Sequence, residues 1–100
     1  MNTIIIPSRH GRKNYQVLIS TGLYSHNQEF RVVARSAIMA LDLVGDYCDQ
    51  HGLRNLCATK EELAPLCHDG QTVDEYAKAQ GLTKCGTNGV YVIAHQINEL

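Results

Sequence analysis

"EFRVVARSAIMALDLVGDYCDQHG", residues 29–52, changes its hydrophobic period midway. Up to Arg35 it alternates: Phe30, Val32 and Ala34 share one face, and Glu29, Arg31 and Arg35 the other. That is the pattern of a half-buried strand. Ser36 is a good helix N-cap. Beyond it Ala37, Leu41, Val44 and Cys48 recur at helical spacing, which predicts a helix over 37–51 with Gly52 as its stop. A strand feeding through a cap into an amphipathic helix sets the frame: a sheet with a helix on one face.

Working outward, "NYQVLISTGLY" (14–24) is rich in β-branched and aromatic residues and ends in the polar "SHNQ", which predicts a strand and turn paired antiparallel with 29–35. "TIII" near the start is a further short strand, leaving "PSRHGRKN" as a basic loop. Thr59 with Glu62 and Thr72 with Glu75 form capping boxes for two short helices, the first limited by Pro65 and the second by Gly81. "LTKCGTNGVYVIAHQI" reads as a hairpin with Asn88-Gly89 in a type I′ turn. Its last strand is apolar on both faces, which predicts a central, covered position. The expected fold is a single α+β domain over 1–100. It has an antiparallel sheet of about four or five strands packed against one long helix, with two short helices.

Composition narrows the function. One hundred residues, 44% hydrophobic and 19% charged, describe one globular domain with a core of its own. No apolar run approaches the roughly 18 residues that span a membrane. "MNTIII" lacks the basic region of an export signal, so the expected location is the cytoplasm, with the four cysteines as thiols. Were the chain exported, they would permit three pairings that sequence does not choose between.

The cysteines raise chemical possibilities. Cys48, His51, Cys57 and Cys67 could supply four zinc ligands, but their spacing imposes no knuckle. Cys48 and His51 are one helical turn apart beside Asp49, yet a nucleophile on a core stripe is inaccessible. The favoured reading is buried thiols: "CDQHGLRNLC" is a helix end, its stop and a return into the core. His10, His26 and His95 are scattered, and "CGTNG" lacks the Lys-Ser/Thr and helix start of a phosphate loop. No cofactor is implied and no catalytic constellation appears.

Charge is segregated. Residues 1–40 carry a net +4 and residues 41–100 a net −5. Arg9, Arg12 and Lys13 crowd a loop beside Gly11, and Arg31 and Arg35 project from the exposed strand face, extending the patch. Asp42, Asp46 and Asp49 recur at i, i+4 and i+7 on a helix face that should be wet. Either set is a solvated surface or a partner contact; spaced carboxylates steer association with a positive surface.

The segment "EFRVVARSAIMALDLV", with "MNTIII" and the short chain, resembles small phage-encoded anti-CRISPR proteins over about residues 1–50. The resemblance implies a non-enzymatic inhibitor, in a bacterial host, that binds a subunit of a type I CRISPR-Cas effector and blocks it by protein–protein contact. The candidate contacts are the acidic stripe or the basic loop and strand face. The alternatives are a nucleic-acid-binding accessory protein using Arg9, Arg12 and Lys13, and a zinc-stabilised interaction module.

Overall fold

The computed structural model describes residues 3–7, 11–20 and 27–100. In chain order the elements are β1 (Thr3–Ile6), β2 (Lys13–Ser20), β3 (Asn27–Ala34), α1 (Ala37–Gln50), β4 (Cys57–Ala58) and α2 (Lys60–Leu63). A 3-10 turn (Ala64–Leu66), α3 (Val73–Ala79), β5 (Thr83–Cys85), β6 (Val90–Val92) and β7 (Ala94–Glu99) follow. The architecture is α+β, with antiparallel-rich sheets, as the sequence predicts.

The strands form two sheets where one is expected. β1-β3-β2-β7 make a four-stranded sheet and β4-β6-β5 a three-stranded one. β2 and β3 pair antiparallel as expected, whereas β1 runs parallel to β3, with Ile4 opposite Phe30 and Ile6 opposite Val32. The expected last strand divides at Ile93. Val90–Val92 are buried throughout and run through the middle of the small sheet. Beyond Ile93 polar residues alternate in, and the chain becomes an edge of the larger sheet.

Helix α1 covers one face of the larger sheet. Ser36 caps it, its hydroxyl accepting from the Met39 amide at 3.2 Å. The helix has 14 residues, an ordinary length rather than a long one. Its buried stripe is Ala40, Leu41, Val44, Gly45 and Cys48, beginning one turn later than expected because Ala37 is exposed. The stripe shares a core with Tyr15, Val17, Ile19, Phe30 and Val32, the inward residues of β2 and β3. Both capping boxes form, at Thr59/Glu62 and Thr72/Glu75. The two short helices and β6 enclose a second cluster of Leu63, Ala77 and Tyr91. Strand β6 therefore serves both cores, Val90 and Val92 inward to α1 and Tyr91 outward.

The β5–β6 hairpin turns through Gly86–Gly89 and not by the expected type I′ pair. Such a turn needs positive φ at both central residues. Here Gly86 and Gly89 have φ of +83° and +70°, and no non-glycine described residue takes a positive φ. Gly86 lies against α1 at Gly45. A Cβ built on Gly45 would stand 2.6 Å from Cys85 Sγ and 3.2 Å from the Gly86 amide nitrogen. The missing side chain at Gly45 is what lets the hairpin backbone lie against the helix.

This reverses the sign of a routine substitution. Helix propensity alone gives Gly45→Ala a gain of about 1 kcal/mol. Overpacking against Cys85 should instead destabilise the protein by roughly 1–3 kcal/mol, read as a lower urea midpoint with an unchanged slope.

Candidate functional site

The acidic stripe is not a wet face. Asp42, Asp46 and Asp49 are half-buried, and each accepts from the hairpin turn. Asp42 Oδ1 takes the Gly86 amide at 2.9 Å, and Asp46 Oδ1 takes the Thr87 amide at 2.7 Å and the Thr87 hydroxyl at 2.9 Å. Asp49 Oδ2 takes the Asn88 side-chain amide at 2.8 Å. The i, i+4, i+7 spacing aims three acceptors at three consecutive residues, so the carboxylates satisfy donors that the turn would otherwise leave to water. The turn read as a failed phosphate loop does present its donors to anions, and the anions are the protein's own.

The cysteines are also regrouped. Cys48, Cys57 and Cys85 are buried, within electrostatic reach of one another, while Cys67 is half-buried and its thiol faces the carbonyls of Leu63 and Thr72. His51 stacks on Tyr47, ring centroids 4.1 Å apart, at the exposed end of α1. The four residues weighed as zinc ligands do not converge as a set, and the described residues contain no cluster of three or more His, Cys, Asp or Glu suited to a metal. Burial pushes the Cys48 and Cys85 thiols up to about 12 and raises that of Cys57. Protonated at neutral pH, they are poor nucleophiles.

Arg9 lies outside the described residues, as do His10, His26 and 21–24 of the expected second strand. Gly11 makes its close approach to the backbone of Val33 and Ala34, not to a ligand: a Cβ there would stand 2.4 Å away. Lys13, the first residue of β2, pairs with Glu99 at 3.5 Å across the exposed end of the sheet. Arg12, Arg31 and Arg35 are exposed.

Arg31 belongs to the sheet face that α1 leaves open. By strand alternation and register this face carries Thr3 and Ile5 of β1, Glu29, Arg31 and Val33 of β3, Gln16 and Leu18 of β2, and Gln96 and Asn98 of β7. Its centre is a polar network: the Thr3 hydroxyl and Gln16 amide donate to Glu29, Arg31 Nε approaches it at 3.3 Å, and Asn98 donates to Gln16 at 3.1 Å. The two neutral donors, Thr3 first, and then Arg31 hold the Glu29 carboxyl below its usual range. Beside this network a groove of about 350 Å³ is lined by Ile5, Asn14, Arg31, Val33 and Leu100, together with the buried Tyr15 and Val32. Ile5 is 72% and Leu100 59% exposed. A second cleft, of about 450 Å³, is lined by Lys60 and Lys84 together with Asp49 and Glu61, so its charge compensates itself.

The sequence reading identified Arg31 but not the groove. A signal was available: Ile5 and Val33 are apolar on the phase that carries Thr3, Glu29 and Arg31. Comparison with protein-family models, curated proteins and solved structures finds no match for the chain. No helix among the described residues is long and apolar enough to cross a membrane.

Two outcomes follow from these geometries. In native protein at mildly alkaline pH, Cys67 should react with a disulfide reagent, and Cys48, Cys57 and Cys85 only after denaturation, as counted by released chromophore. Because the folded pKa of Glu29 lies below the ordinary 4.5, its contribution to stability is present above that value and is lost as pH falls through the folded pKa. Glu29→Gln should therefore weaken the acid dependence of the urea midpoint.

Proposed function

We propose that the protein is a non-enzymatic binding module whose open sheet face docks on a protein partner. The observation that carries this reading is the groove of Ile5, Val33 and Leu100 beside Arg31, on a face covered by none of the described helices. An apolar slot of this size takes one large side chain, and the exposed Arg31 at its margin favours an acidic neighbour. The partner is thus a protein surface with an apolar anchor beside a carboxylate. The strand–serine–helix likeness to anti-CRISPR proteins extends the proposal: the partner is a subunit of a type I CRISPR-Cas effector, and binding inhibits it.

The acidic stripe gives way to the basic face as the contact, because its carboxylates are already engaged by the turn. A protein is favoured over nucleic acid because the one aromatic residue that lines the groove, Tyr15, is buried at 5% exposure and offers no open ring on which a base could stack. The raised pKa values of the buried thiols argue against Cys48 and Cys85 as nucleophiles.

Gel filtration with a purified type I effector complex tests the reading. The wild-type chain should co-elute with the effector, and Val33→Asp with Leu100→Asp should abolish co-elution while the urea midpoint changes by less than about 1 kcal/mol equivalent. Co-elution unaffected by these changes would exclude this face, and failure of the wild type to co-elute would exclude the effector as partner.

A further inference from the structure

Among the described residues four strands lie at the edges of the two sheets, and they are guarded unequally. β4 has two residues and β5 three, too short to template a partner. β7 pairs with β2 through an irregular register at Leu18/Ile19 and carries the exposed His95, Gln96 and Glu99. β1 is guarded least. Its four residues, Thr3–Ile6, are uncharged and in unbroken register with β3, Ile5 stands 72% exposed on it, and Pro7 comes only after its last residue. The Thr3–Glu29 hydrogen bond fastens this edge to the sheet, so the strand is ordered before any partner arrives.

We propose that β1 pairs antiparallel with β1 of a second copy of this chain about a two-fold axis, joining two four-stranded sheets into one of eight strands. Opposed residues of an antiparallel pair share a face. To keep α1 on the same side in both copies, the axis must therefore lie midway between the two copies of one residue, either Ile4 or Ile5. Charge chooses between them. With Ile5 opposite Ile5, the row across the open face has Arg31 at both ends. With Ile4 opposite Ile4, Thr3 lies opposite Ile5, and each row runs from Arg31 of one copy to Glu29 of the other. The second register alternates charge across the axis and covers each Ile5 with the neighbouring Thr3. A contact of four residues a side is small, so the dimer is weak and concentration-dependent.

Sedimentation velocity over a wide concentration range tests this without any other partner. The wild type should shift from monomer to dimer, and Ile5→Lys, which places charge in the contact but leaves the core intact, should weaken dimerisation by about tenfold or more. On a Cys67→Ser background, Ile4→Cys should give an oxidised, covalently linked dimer, and Ile5→Cys alone should not. A monomer at every concentration, or a dimer indifferent to Ile5→Lys, would overturn the pairing. Cross-linking by Ile5→Cys alone to the same extent would overturn the register.

Discussion

The contact between α1 and the Gly86–Asn88 turn is the constraint on which the rest of the molecule depends. It has two parts that act at different ranges. The absence of side chains at Gly45 and Gly86 lets backbone meet backbone, and the carboxylates of Asp42, Asp46 and Asp49 then gather the turn's donors one residue at a time. Each hydrogen bond is worth only about 1 kcal/mol net at a half-buried site, but together they fix the hairpin's position along the helix. That position sets β6 over the stripe of α1 with Val90 and Val92 inward, and leaves Tyr91 to nucleate the second cluster. There its hydroxyl donates to Asp74 at 2.5 Å.

Once β6 is placed, the path of the remaining chain is constrained. At Ile93 the strand leaves the small sheet, and the Ile93 carbonyl accepts from the Ser20 amide at 2.9 Å, so β7 must continue along β2. The larger sheet is thereby completed with its apolar face under α1 and its mixed face outward. The polar network centred on Glu29 also fastens β1, held otherwise by a parallel pairing with β3. An open face that is ordered, partly apolar and basic at its margin is what the functional proposal rests upon.

Burial also decides the chemistry of the thiols. Three of the four cysteines come from α1, β4 and β5, elements that converge under the hairpin, and the same packing that brings them near one another removes the water that would stabilise a thiolate. Their proximity is a by-product of the core. Cys67 is set apart because Pro65 turns the chain through a 3-10 segment, leaving Leu66 exposed and Cys67 half-covered.

Periodicity and caps were sufficient to locate β2, β3, α1, α2 and α3, because those signals depend on neighbours within a few residues: Ser36 before an apolar stripe, Thr59 and Thr72 each three residues before a glutamate. The α+β class follows from their order. Partition into two sheets, the parallel placement of β1 and the turn at Gly86–Gly89 depend on contacts between segments far apart in sequence, and no local pattern encodes them. The acidic stripe shows the difference most directly. Its spacing was legible as one helix face, and a helix alone would leave that face in water; only the arrival of a turn more than thirty-five residues later makes the carboxylates internal partners. Likewise Arg31 was legible as an exposed basic residue, whereas its groove with Ile5, Val33 and Leu100 required β1 and the end of the chain to meet on one sheet. The sequence by itself determined which segments bury which faces, and the tertiary structure decided which surfaces were left over, because exposure is settled by what packs last.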